Sequence, residues 1–414
     1  MAFRTCERLR GRHTVKLTEE TAGAGPAPSP AVHPNGSAFQ HVALLLQGGG
    51  ALGAYQAGVY EALLARGLEP DWVAGISIGA VNSAIIAGNP REKRVERLRM
   101  FWELVSAPGD GGFTDFWTRA ITGDLGRSWI NALSAGQILA TGVPGFFTPR
   151  VPPPFLVPHG GRGATSWYDA CDLKQTLERL VDFERINSKA TRFSVGAVNV
   201  RTGNFAYFDN HAQPIGPEHI MASAALPPAF APVEIDGESY WDGGLVSNTP
   251  LEWVLSQRSD LDTLIFQVDL WSARGELPGD LSEVALRMKE IQYSSRTRAA
   301  TDEFRRLQRL RATFNTLMEK APPELIETQE AQVLLRASDP AVYNIVELIY
   351  YARAYEGQSK DYEFSRRTME DHWQAGLQDA ETTLAHPEVL TRPTGPHAVE
   401  VFDFTTPHTQ RSRT

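Results

Sequence analysis

Two stretches between residues 42 and 89 each carry an apolar run into a glycine-marked turn and then into a segment of helical spacing. No other feature constrains the fold as tightly. In the first, Val42 to Leu46 is uninterrupted apolar sequence, as in a strand buried on both faces. Gly48, Gly49, Gly50 and Gly53 follow, and from Ala54 the apolar residues recur at helical intervals. In the second, Trp72 to Ile76 leads to Ser77, and Ile78 to Ile86 continues as a helix. Strand, helix, strand, helix in succession predicts a parallel sheet with right-handed crossovers. Both turns then fall at strand C-termini, on the sheet edge where open α/β folds place ligands.

The second turn spells Gly75-x-Ser77-x-Gly79. A nucleophile on a sharp strand-to-helix turn holds a strained backbone while its oxygen faces open space, so the residues two positions either side must lack side chains. The helix behind Ser77 aims its N-terminal N–H groups and positive dipole end at the same point. The pattern is short; its place between an apolar run and a helix is what raises Ser77 above a surface serine. The first turn, Gly48-x-Gly50-x-x-Gly53, shares its spelling with dinucleotide-binding loops. Such a loop needs an acidic residue at the C-terminal end of the next strand, and Asp71 stands at the other end. A P-loop fails as well, because no Lys-Ser/Thr follows the glycines. What remains is a row of unobstructed N–H groups at a helix start, suited to a developing oxyanion as well as to a phosphate.

With 414 residues and 42% hydrophobic content, the chain can bury one large core plus a smaller one, in one or two domains. A formal net charge of -9 argues against a general nucleic-acid binder. Cys6 and Cys171 make neither a disulfide framework nor a metal-ligand spacing, and no HExxH or paired CxxC run occurs, so neither metal nor cofactor is expected. The basic residues near Met1 lack an apolar segment behind them, so no secretory signal is expected, and no apolar stretch is long enough to span a bilayer. Cytoplasm is the default location, with peripheral docking on membranes and export by a specialised route left open.

Residues 1–39, rich in Gly and Pro, read as a disordered tail, 40–258 as the main α/β unit, and 259–414 as a last sheet strand plus a mostly helical extension and tail. Glu92 to Val105 is an amphipathic helix with Val95, Leu98, Phe101, Trp102 and Val105 on one stripe. Across 109–166 Gly, Pro and aromatic residues accumulate, Phe113, Phe116, Trp117, Phe146 and Phe147 among them. This insertion reads equally as a lid whose apolar face meets lipid and as an irregular segment packed on its own core. Tyr168 to Val181 has helical spacing, Arg192 to Val200 reads as a buried strand, and Asn204 to Phe208 alternates like another. Thr263 to Leu270 reads as the last parallel strand. Residues 281–318 are helical, with Phe304, Leu307, Leu310, Phe314 and Leu317 among arginines that include Arg296 and Arg298; a solvated outer face is favoured over one laid on anionic lipid. Tyr343 to Tyr351 looks like a strand, Glu363 to Leu384 like a helix, and the remainder from His386 like a strapped or loose tail.

Asp242 precedes Gly243 and Gly244. That is ordinary turn grammar, and equally a way for the backbone to deliver a carboxylate to another loop's serine. A serine hydroxyl needs a base within hydrogen-bond reach. After Asp242 the histidines are His372, His386, His397 and His408, none in a glycine-marked turn following a strand, and His211 and His219 read as loop or helix-start residues. The pattern therefore favours a Ser77–Asp242 pair. At an ordinary pKa of about 3.9 a carboxylate is a feeble base, so Asp242 must be partly buried and desolvated to act.

Together the Gly48–Gly53 loop, the Gly75–Gly79 elbow and Asp242-Gly243-Gly244, in this order, resemble the patatin-like phospholipases. Ala222 to Pro232 also looks like the segment preceding the aspartate in that family, and the helical C-terminal part resembles the extension of a bacterial subgroup. The resemblance covers roughly residues 42–255. It implies a three-layer α/β/α fold with a mainly parallel sheet, hydrolysis of lipid acyl esters, Ser77 as nucleophile, Asp242 as general base, and an oxyanion hole in the Gly48, Gly49, Gly50 and Gly53 loop, Gly49 and Gly50 being the favoured donors. One position departs: Leu52 stands where family members often carry Arg or Lys. An acyltransferase or thioesterase with the same acyl-enzyme, and a non-catalytic lipid-binding module, are the alternatives.

Overall fold

A computed structural model describes residues 38–106, 124–161, 163–257, 261–338, 341–353, 356–393 and 399–405. The tail before residue 38, Phe113, Phe116, Trp117, His397 and His408 lie outside these residues, as do the side chains of Arg296 and Arg298.

β1 (His41–Leu46) passes through a tight turn at Gly50–Gly53 into α1 (Ala54–Ala65), and β2 (Trp72–Ile76) turns at Ser77 into α2 (Ile78–Ala87). In α3 (Arg94–Val105), Leu98, Phe101, Trp102 and Val105 are buried, as their stripe predicts. α4 (Asp124–Thr141) is followed by an antiparallel pair, β3 (Thr148–Pro149) with β4 (Tyr168–Asp169). Tyr168 thus belongs to a strand and not to the helix its spacing suggested. The Asp169 carboxylate, held by Arg150 at 2.9 Å, accepts the Cys171 N–H, and α5 (Cys171–Leu180) begins only there.

α6 (Phe183–Asn187), β5 (Arg192–Asn199), β6 (Phe205–Asp209) and α7 (Pro217–Ser223) lead to a hairpin of β7 (Val233–Ile235) and β8 (Glu238–Asp242), turned at Asp236 and Gly237, both with positive φ. The chain continues through α8 (Leu251–Ser256), β9 (Thr263–Asp269), the long α9 (Leu281–Met318), α10 (Pro323–Ile326), α11 (Gln329–Ala337), β10 (Tyr343–Ile349), α12 (Arg366–Leu384) and β11 (Val399–Asp403).

Among the described residues these strands form a nine-stranded sheet ordered β11-β10-β9-β1-β2-β5-β8-β7, with β6 also on β5. Every pairing from β11 to β5 is parallel, and those of β6, β7 and β8 are antiparallel. The sheet does not end at β9, as the sequence suggested, because β10 and β11 extend it. β11 comes from the segment expected to be a tail. Its five residues mix apolar and acidic side chains without strict alternation, near prolines, and pairing along Tyr343–Glu347 makes it a strand.

The pleat of β1 divides the interior. Val42, Leu44 and Leu46 join a large core with α1, α2, α3 and α12, while Ala43 and Leu45 face a smaller one closed by Leu251 and Val254 of α8 and Phe304 of α9. The result is a three-layer α/β/α fold with a mainly parallel sheet and a mostly helical C-terminal region. Of the α9 stripe, Phe304 enters the core, whereas Leu310 and Leu317 remain exposed. No helix of the described residues is long and apolar enough to cross a membrane.

Candidate active site

The register along β5 brings Ser77 and Asp242 together. Ile76, the last residue of β2, pairs with Gly196, and the next residue of β5, Ala197, pairs with Asp242 at the end of β8. Both residues therefore leave their strands at the same point on the sheet edge.

Ser77 has φ 56° and ψ −124°, a backbone conformation that residues with side chains avoid. It is held there by its N–H, which donates to Ser223 Oγ at 3.0 Å, and by Ser223, which donates to Gly196 O at 2.6 Å. A Cβ on Gly75 would stand 2.3 Å from Gly79 O, and one on Gly79 would stand 2.1 Å from Leu46 O. The turn closes only because both positions lack one. α2 starts directly behind the serine, with its positive dipole end toward it.

Asp242 is 2% exposed, and its Oδ1 accepts the Gly244 N–H at 2.7 Å. Burial pushes its pKa up to about 7, against the opposing pull of the nearby Ser77 hydroxyl and the Gly244 N–H. Such a carboxylate exchanges its proton near neutrality. Gly243 and Gly244 are buried in the turn, where a Cβ would meet Gly196 O at 2.7 Å or Asn248 Oδ1 at 2.9 Å.

The first glycine loop lies against the serine: a Cβ on Gly48 would be 2.9 Å from that of Ser77. Its four glycines are not equivalent. Gly48 N–H donates to Asn248 O at 3.2 Å, and Gly48 O accepts from Asn248 Nδ2 and Trp271 Nε1, both at 2.9 Å. Gly53 ends the tight turn, packed on Ile78 and Trp102. Gly49 and Gly50 are the two whose N–H groups make no hydrogen bond to the described residues. Leu52, the departure from the family pattern, is fully buried.

Several supporting residues have no motif of their own and were missed from sequence. Gln47 is buried; its Oε1 accepts the Leu270 and Trp271 N–H groups, and its Nε2 donates to Thr249 Oγ1 and Tyr293 O. This one amide joins the ends of β1 and β9 to α9. Tyr293 packs against Trp271 with ring centres 5.2 Å apart and planes tilted by 36°, and its pKa is pushed up to about 12 by burial and then by Asp242 and Asp361. Asn248 had a signal, its place in the turn that carries Asp242. Two of the described histidines are engaged elsewhere. His219 accepts the Gly216 N–H, and His372 pairs with Glu356; neither hydrogen-bonds Ser77 or Asp242.

Residues 44–255 match the family model described as patatin-like phospholipase, and residues 291–395 a second one described as patatin phospholipase. The chain belongs to the patatin-like phospholipase family. As a patatin-like phospholipase it is, broadly, a lipid hydrolase. The first match takes in the glycine loop, the Ser77 elbow and the Asp242 turn. The second takes in most of α9 and runs through α12. Among solved structures, this patatin-like phospholipase is similar to VipD from Legionella pneumophila, at 14% identity and a TM-score of 0.37, over 90% of this chain and 74% of that one. No curated protein matches the chain.

Proposed function

We propose that this phospholipase cleaves acyl esters of lipids through a Ser77–Asp242 dyad. The observation that carries the reading is a buried carboxylate with its pKa near 7, brought by the register of β5 to the same sheet edge as a serine on a strained elbow, beside the open amides of Gly49 and Gly50. In this mechanism Asp242 takes the Ser77 proton as Oγ attacks the ester carbonyl. The oxyanion is held by Gly49 and Gly50 N–H groups. The C–O bond then breaks, and the departing alcohol or lysolipid leaves with the proton that Asp242 returns. Water, deprotonated by Asp242, attacks the acyl-enzyme and releases the fatty acid and the serine. Residues 40–258 supply these groups; the residues beyond 258 support them.

Phe155 and Leu156 of the insertion, Trp167 just after it, and Leu281, Met288 and Ile291 of α9 are exposed apolar side chains. In the proposed function they touch the lipid surface from which substrate is drawn. Co-sedimentation with phosphatidylcholine and phosphatidylglycerol vesicles tests that contact. A fluorophosphonate reaction followed by peptide mapping tests the dyad: the label is expected on Ser77, and none is expected on Ser77→Ala. Labelling elsewhere would overturn the assignment. Transfer of the same acyl group to an added alcohol is the second reading, and product analysis with glycerol present separates it from hydrolysis.

A further inference from the structure

We infer that residues 356–372, pinned by Lys289 and Glu290 of α9, form a clamp that sets the geometry of the glycine loop, with Lys289 as its positioning residue. The inference rests on the reading of Gly49 and Gly50 as oxyanion donors.

The clamp grips Ala51 on both sides. Ala51 N–H donates to Asp361 O at 2.8 Å, and Ala51 O lies 3.4 Å from His372 Nδ1. The approach leaves no room to spare: Gly50 has φ 56°, and a Cβ there would stand 2.0 Å from Asp361 O. What places that carbonyl is the Asp361 side chain, whose two carboxylate oxygens accept from Lys289 Nζ at 2.8 and 2.9 Å. Lys289 also donates to Gln358 O at 3.1 Å, fixing the segment at a second point. Behind it, His372 Nε2 lies 3.0 Å from Glu356 Oε1, whose carboxylate also accepts from Tyr350.

The neighbouring pair reaches the other end of the loop. Lys360, its ammonium buried, bonds Glu290 at 3.0 Å and lies 4.9 Å from the Trp271 ring centre, and Trp271 Nε1 donates to Gly48 O at 2.9 Å. Two adjacent ion pairs from one turn of α9 therefore fix Gly48 and Ala51, and the two open amides lie between them. An oxyanion donor acts only if it is already aimed when charge develops, so a small displacement of this loop slows chemistry more than it weakens substrate binding. In this proposal the clamp residues act through the loop.

The test uses the full-length protein with Lys289→Gln, Lys289→Arg and the swap Lys289→Asp with Asp361→Lys. Lys289 is partly exposed, so losing its pair leaves the fold standing. For Lys289→Gln, kcat on an acyl ester is expected to fall roughly tenfold or more with KM changed less than about twofold, short of the 10²–10³ seen when an oxyanion donor is removed outright. The inactivation rate by a fluorophosphonate, whose phosphoryl oxygen needs the same donors, is expected to fall by the same factor. Lys289→Arg and the swap are expected to recover activity. A Lys289→Gln enzyme with wild-type kcat, or one whose loss neither Arg nor the swap repairs, overturns the clamp. If Lys289→Gln is unaffected while Ser77→Ala is dead, the clamp fails and the dyad stands; an active Ser77→Ala enzyme fails the dyad itself.

Discussion

Asn248 and Gly48 hold each other through two hydrogen bonds, Gly48 N–H to Asn248 O at 3.2 Å and Asn248 Nδ2 to Gly48 O at 2.9 Å. One residue belongs to the turn after Asp242 and the other opens the glycine loop beside Ser77. The pair ties the carboxylate's turn to the loop.

Asn248→Ala keeps the backbone bond and removes the side-chain bond. Loss of this one hydrogen bond is expected to cost about 0.5–1.5 kcal/mol, since Gly48 O retains Trp271 and is not left unsatisfied. Urea unfolding measures that loss. Because the loop is freed at the end nearest Ser77, kcat/KM is expected to fall by roughly tenfold or more, as it does for misplaced catalytic groups. An enzyme destabilised to this extent but fully active would show that the bond serves the fold alone.

Gly79→Ala tests the elbow. Its Cβ would sit 2.1 Å from Leu46 O, a backbone atom of a buried strand that cannot yield as a flexible side chain does. The cost is expected to reach or exceed the roughly 1–3 kcal/mol of ordinary overpacking. The measurement is thermal melting of the purified variant, and a melting temperature equal to wild type would mean that the elbow is looser than its geometry implies.

What could be read from sequence was local. Val42 to Leu46 and Trp72 to Ile76 announce themselves because strands buried on both faces are apolar throughout, and the glycines around Ser77 because a side chain there collides with backbone. The meeting of Ser77 with Asp242 rests on the register of β5, where Gly196 and Ala197 take successive partners from two different strands, and no pattern in either motif encodes it. Gln47, Trp271 and Asp361 were missed for a related reason. Each acts through an amide or carbonyl of a distant residue, and such bonds leave no periodicity. β11 reads as a tail in the sequence because a five-residue edge strand near prolines carries less signal than its neighbours contribute by pairing.

Leu52 gives a prediction about the family departure. Its side chain is fully buried in the large core, so Leu52→Arg places a guanidinium in apolar surroundings without a partner. Burying an unpaired charge costs several kcal/mol. The variant is expected to lose most of its soluble yield, whereas Leu52→Met is expected to melt within a few degrees of wild type. A soluble and active Leu52→Arg enzyme would mean that the loop can turn this position outward.

At Asp242 stability and activity are set against each other. Its pKa rises from 3.8 to about 7 through burial, so the folded protein holds a proton that the unfolded chain has already released. The stability this provides is complete below the unfolded value and is lost as pH climbs through about 7. Asp269, pushed to about 7 by the same cause, contributes in the same sense. From these two carboxylates the wild-type protein is expected to melt at a higher temperature near about pH 5 than near about pH 8. Activity is expected to run the other way, with kcat/KM rising about tenfold per unit toward a plateau above the Asp242 pKa, because in the proposed dyad the base works only when ionised. Asp242→Asn keeps the shape and removes the charge. It is expected to lose about 10²–10⁴ in kcat/KM, the range typical of general-base catalysis, while melting higher than wild type at the alkaline end and close to it at the acidic end. Paired melting curves at the two pH values and a pH profile on one ester substrate measure both halves. An Asn variant that gains nothing in alkaline solution would show the carboxylate to be better solvated than its 2% exposure implies, and the reason for assigning it the base would go with it.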